Sequence, residues 1–118
     1  PNIVFADADL DRAIPVIANA ILQNAGQTCS AGSRLIVERS IHAEVVRRLS
    51  AHFAGVHVGP ALSDPDLGPV INSEARERIL DFAELGRRDA HLAFGGIAAS
   101  TASTSARIRD SMLESAGS

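Results

Sequence analysis

Two short β-branched runs, Asn2 to Phe5 and Arg34 to Glu38, flank a single long apolar stretch, and this arrangement limits the folds open to the chain. Strands joined through a helix-length crossover pair in parallel, because a tight hairpin cannot return the chain to the same end of the sheet. The first run reads as a buried strand. The acidic cluster DADLD, Asp7 to Asp11, follows it and suits a helix N-terminus, where carboxylates meet free N–H groups and the positive end of the macrodipole. A helix is predicted from Leu10 to Asn24, with Leu10, Ile14, Ile17 and Ile21 at helical spacing. Ala13, Val16, Ala18 and Ala20 leave few polar positions, so burial over most of its circumference is expected. Pro15 counts against a smooth first half, since it lacks one backbone donor.

The loop Asn24 to Gly32 (NAGQTCSAG) is small, polar and punctuated by glycine. After the second strand, Ser40 is a candidate N-cap for a helix in which Ile41, Val45, Leu49 and Phe53 recur at four-residue intervals. Val58 to Asn72 holds three of the five prolines and reads as an ordered, extended connection. A third helix is predicted over Ser73 to Leu85, with Ala75, Ile79, Phe82 and Ala83 on one face, and a short third strand over Leu92 to Phe94. The element order implies an α/β fold, a layered parallel-sheet, Rossmann-like part of a larger domain. Residues 1–96 form this partial domain. Residues 97–118, rich in Ala, Ser and Thr without a period, are expected to be a poorly ordered tail. Pro1 leads straight into a strand, which gives the expectation of an internal fragment.

Charge and composition narrow the function. The net charge of -3 gives no basic surface for nucleic acid. All eleven basic residues are Arg, so no lysine Schiff base or phosphate-binding lysine lies in these 118 residues. No apolar run reaches the roughly 20 residues that span a bilayer. One cysteine cannot form an internal disulfide, and with no signal-like start this points to the cytoplasm. His42, His52, His57 and His91 lack metal-ligand spacing and read as surface residues. Asp7, Asp9 and Asp11 lack the glycine and terminal glutamate of a calcium loop. Glu74, Arg76, Glu77 and Arg78 read as a solvated helix face. Gly95-Gly96 has no following helix to bind phosphate.

Cys29 is the residue with reactive potential, surrounded by Gly26, Thr28, Ser30, Ala31 and Gly32. Small neighbours allow a carbonyl to approach the sulfur and leave backbone N–H groups for an oxyanion. A neutral thiol is a poor nucleophile, and no His or Lys adjoins Cys29, so activation must come from elsewhere. On the residues alone, an inert buried thiol remains the competing reading.

QNAGQTCSAGSRLIVE, at Gln23 to Glu38, resembles the active-site cysteine segment of the aldehyde dehydrogenase family, where G-Q-x-C precedes small residues. PNIVFADADLDRA, at Pro1 to Ala13, is similar to the segment before that cysteine. VGPALSDPDLGPVIN resembles the family's later V-G…G-P-[LIV]-I pattern, and HLAFGG the strand after it. The resemblance covers residues 1 to about 96. It implies an oxidoreductase that converts an aldehyde to a carboxylic acid with NAD or NADP, and a full-length protein that is usually homo-oligomeric. In this role Cys29 is the nucleophile and its own N–H half of the oxyanion hole, completed by an Asn amide from elsewhere. Asn24 matches no such Asn and reads as a loop-stabilising residue.

The family's E-L-G-G-K motif, with its general-base glutamate, would precede Pro1, and no E-x-F-G-P motif follows Gly96. No residue here is therefore assigned to cofactor binding, none to a metal, and the piece alone is expected to be inactive. The alternative is a non-catalytic, truncated or frame-shifted remnant, acting at most as an interaction fragment through uncovered apolar helix faces.

Overall fold

The computed structural model describes residues 1–96 and Ala98, so the tail expected over residues 97–118 lies, Ala98 aside, outside the described residues. The chain divides into two compact units, Pro1–Val56 and a second that begins at His57.

The first unit is a strand–helix–strand crossover with one further helix. Strand β1 (Asn2–Val4) pairs in parallel with β2 (Leu35–Val37), in the register Asn2 to Leu35, Ile3 to Ile36 and Val4 to Val37. Helix α1 (Leu10–Leu22) makes the crossover and packs on α2 (His42–Ala54). Asp9 caps α1, its carboxylate accepting from the N–H groups of Asp11 at 3.1 Å and Arg12 at 3.3 Å. Asp9 alone of the acidic cluster therefore performs the capping role that the cluster's position indicates. Asp11 pairs with Arg48, whose Nε also lies 2.6 Å from Glu44, so one guanidinium ties the start of α1 to α2. Val4, Ile14, Ile17, Ala18 and Val45 are the buried core of this unit.

Several expectations are corrected. Helix α1 runs through Pro15 and stops at Leu22 rather than Asn24, because Asn24 and Ala25 take left-handed backbone angles. Its burial is confined to the stripe Ile14, Ile17 and Ala18, while Val16 is 68% exposed: neighbours cover one side of the helix only. Ser40 does not cap α2. A single 3₁₀ turn, Arg39–Ile41, precedes that helix, and the Ser40 hydroxyl donates to Glu38 at 3.0 Å instead. The outer face of the sheet is also uncovered, with Ile3, Ile36 and Phe5 each at least half exposed.

The second unit opens with the ordered connection expected from its prolines. Val58 and Leu67 form an isolated parallel bridge, the His57 N–H donates to Asp66 at 2.8 Å, and a 3₁₀ turn spans Ala61–Ser63. Helix α3 (Ser73–Asp89) is capped by Asn72, which accepts from the Ala75 N–H at 2.8 Å. It outlasts the predicted end at Leu85, since Glu84 pairs with Arg87 and Arg88 across the last turns. Of its apolar face only Ala75 is buried, and Phe82 is 68% exposed. The third strand expected at Leu92 to Phe94 is not formed. A strand needs a hydrogen-bonded neighbour, and the segment is instead drawn back along α3 by Arg87, which donates to the Gly96 carbonyl at 2.6 Å.

Candidate functional site

The loop from Gln23 to Arg34 carries Cys29 between the end of α1 and the start of β2, so both elements of the crossover hold it. It begins with an abrupt reversal in which Asn24, Ala25 and Gly26 all have positive φ, at 50°, 55° and 73°. Left-handed backbone costs a non-glycine residue about 1–2 kcal/mol, so neighbouring bonds must hold it. They come from Asn24 and Gln27. The Asn24 amide donates to the Gln27 carbonyl at 3.1 Å, and the Gln27 amide donates to the Asn24 carbonyl at 3.0 Å. The Gln27 N–H adds a third bond to that carbonyl at 3.1 Å. Asn24 therefore stabilises the loop, as its lack of an oxyanion-holding counterpart leads one to expect.

Next comes a four-residue turn, Thr28 to Ala31, closed by the Ala31 N–H donating to the Thr28 carbonyl at 3.1 Å. Cys29 and Ser30 occupy its two central positions. The Cys29 thiol is exposed. Among the described residues nothing accepts a hydrogen bond from the Cys29 or Ser30 N–H. Central N–H groups of such a turn point outward, since the turn's own hydrogen bond uses the N–H at its far end. Thiol and amide thus lie on the same short bend.

The far end of the loop is fastened to both crossover elements. The Gly32 N–H donates to the Ala20 carbonyl of α1 at 2.9 Å, and the Asn2 N–H of β1 donates to the Arg34 carbonyl at 2.8 Å. Gly32 has no room for a side chain: a Cβ there would lie 2.6 Å from the Asn2 amide nitrogen and 2.9 Å from the Ala20 Cβ. That Asn2 nitrogen is itself buried without a hydrogen-bond partner among the described residues. Neither Asn2 nor Gly32 stands out as a site residue in the sequence. A glycine three residues after the cysteine is a weak signal, because it becomes specific only when its neighbour across the fold is known.

The other candidates are dispersed. His42 begins α2, His52 lies edge-on to Phe53 with ring centroids 6.2 Å apart, and His57 and His91 are exposed in the second unit. Gly95 and Gly96 have left-handed φ near 74° and 73°, with no described helix after them. The described residues thus form no glycine-rich strand-to-helix turn of the kind that cradles a dinucleotide pyrophosphate. No helix among them is long and apolar enough to cross a membrane.

Comparison with known proteins bears on the whole of this arrangement. The model of the aldehyde dehydrogenase family matches residues 1–114, beyond the motifs that end at Gly96. Betaine aldehyde dehydrogenase of Bacillus subtilis is 40% identical over 98 residues, covering 81% of this chain and 20% of that protein. Aldehyde dehydrogenase 1A1 of Bos taurus is 43% identical over 101 residues, with the same coverage. Among solved structures, the NAD+ complex of betaine aldehyde dehydrogenase from Staphylococcus aureus aligns with a TM-score of 0.81 and 32% identity, over 89% of this chain and 21% of that one. The NAD+ complex of aldehyde dehydrogenase from Bacillus cereus aligns at 0.79 with 36% identity, over 85% and 21%. The chain spans about a fifth of the length of the relatives it matches. With the crossover, its cysteine loop and the later connection all matched in order, the chain belongs to the aldehyde dehydrogenase family.

Proposed function

We propose that this chain contributes the nucleophile of an NAD- or NADP-dependent aldehyde dehydrogenase, and that the nucleophile is Cys29. The observation that carries the reading is the Thr28–Ala31 turn, which presents an exposed thiol beside an N–H that no described group accepts from. In this chemistry the Cys29 thiolate adds to the aldehyde carbon, the new C–S bond forming as the C=O π electrons move to oxygen. The Cys29 N–H stabilises that oxyanion. The hydride leaving that carbon would need an acceptor, the chemistry that NAD or NADP would supply in the full-length family; the carbon then remains on the Cys29 sulfur as a thioester, which water cleaves to the carboxylic acid and the free thiol. Residues that hold the cofactor and activate the water belong to the rest of the family's domain. The partial domain over residues 1–96 is the part that bears the nucleophile; its single cysteine favours a cytoplasmic setting, and the family resemblance implies a homo-oligomeric full-length protein.

The test is Cys29→Ser in the full reading frame that carries the segment. Turnover of an aldehyde should fall at least about a thousandfold while NAD binding persists, as removal of a catalytic nucleophile does. A variant that keeps its turnover overturns the assignment. The 118-residue chain alone should yield no reduced cofactor, and its thiol should alkylate no faster than a free one. A second reading, a non-catalytic interaction fragment, is favoured by the uncovered sheet face at Ile3, Phe5 and Ile36. It predicts no aldehyde turnover even in the full reading frame.

A further inference from the structure

We propose that Asn2 is a positioning residue for Cys29, acting through Gly32; the role presupposes that Cys29 is the nucleophile. Cys29 lies in the loop between α1 and β2, so the location of its turn depends on how the loop is fastened at each end. The first end is a closed local unit, the reciprocal Asn24–Gln27 bonds. The second is a contact between distant parts of the chain. Gly32 is drawn to α1 by its 2.9 Å bond to the Ala20 carbonyl, and its other flank faces the Asn2 amide, which sits where a side chain would begin. Asn2 is held in turn by the sheet, through its register with Leu35 and its N–H bond to Arg34. The loop end therefore lies between strand and helix, with the Asn2 amide and the Ala20 side chain close on either flank of Gly32.

The chemical identity of the wall sharpens the inference. An apolar side chain would fill the same space without leaving a donor unsatisfied, and a buried unpaired amide is unfavourable by roughly 1–3 kcal/mol. The Asn2 amide nitrogen is such a donor among the described residues. Departures of this kind gather where a fold serves a site rather than its own stability. This one faces Gly32, which lies three residues from Cys29 along the loop.

The experiment is a double-mutant cycle in the full 118-residue chain, using Gly32→Ala, Asn2→Ala and the double variant. Two readouts report on Cys29: its amide and Cβ resonances, and its rate of exchange with an aromatic disulfide reagent. Gly32→Ala should shift the Thr28, Cys29 and Ser30 signals and raise the exchange rate at least about twofold, as contacting residues couple at that level or above. In the double variant the loop can move into the space the amide vacates, which also relieves the approach to Ala20. Signals and rate should then return towards those of the parent chain. Unchanged Cys29 signals in Gly32→Ala, or a double variant that recovers nothing, would overturn the proposal.

Should Gly32→Ala fail to fold, Asn2→Ala alone decides. Moved Cys29 signals with an unaltered denaturation midpoint support the role, and unmoved signals refute it. Turnover surviving in Cys29→Ser would remove the nucleophile but leave these loop shifts as they are, so the two failures can be told apart.

Discussion

Replacing Val45 by alanine removes two methyl groups from the largest side chain that is fully enclosed among the described residues. Burial of each is worth about 0.8 kcal/mol, so the lost transfer energy is about 1.6 kcal/mol. Val45 lies in α2, which packs on α1, and Ala18 of α1 is also fully buried. Two helix backbones held together in this way cannot close readily on a void. A residual cavity on the order of 50 Å³ adds about 1.2 kcal/mol. Alanine's higher helix propensity returns about 0.5 kcal/mol. The expected net loss is about 2 kcal/mol, or a melting temperature lower by on the order of 10 °C for a chain of this size.

Urea denaturation followed by far-ultraviolet circular dichroism reads this directly, with the slope expected to stay constant. Val16→Ala is the internal control, because the chemical change is identical and the side chain is 68% exposed. It should alter stability by no more than about 0.5 kcal/mol. If Val45→Ala falls within about 0.5 kcal/mol of Val16→Ala, the α1–α2 contact is not the core of the first unit and the reasoning fails.

Three further outcomes follow from the local structure. Asp9→Ala removes both side-chain bonds at the start of α1 and should destabilise the chain by about 1 kcal/mol in the same denaturation assay, whereas Asp9→Asn should restore most of it. Ala25→Gly relieves a left-handed alanine at φ 55° and should leave stability unchanged or raise it by up to about 1 kcal/mol; a measurable loss would contradict the loop conformation. Glu44 is hydrogen-bonded first by Arg47 and then by Arg48, which lowers its pKa from 4.5 to about 2. The folded chain therefore binds this proton less readily than the unfolded chain, so the contribution is present above pH 4.5 and disappears as pH falls towards 2. The stability difference between the parent chain and Glu44→Gln should close over that window, and should shrink with added salt because the group is on the surface.

Local chemistry was legible in the residues themselves. The β-branched runs become β1 and β2, the carboxylate before Leu10 becomes a cap, and the glycine-punctuated segment becomes the loop that carries Cys29. Each of these depends on the intrinsic preference of a few neighbouring residues, which any copy of the same short segment would share. The misjudged features depend on partners distant in the chain. Whether Leu92 to Phe94 is a strand turns on an edge to pair with, whether Val16 is buried turns on what lies opposite it, and whether Ser40 caps turns on Glu38 competing for its hydroxyl.

The same division runs through the site. A cysteine among small residues marks itself by composition, and the family pattern around it is written in consecutive positions. What holds it in place is not consecutive. Gly32 must be small because Asn2, thirty positions earlier, is carried alongside it by the parallel pairing of two strands, and Ala20 meets it from the helix between them. Steric exclusion acts over a few ångströms of space whatever the separation along the chain, so only the folded crossover brings that constraint into being.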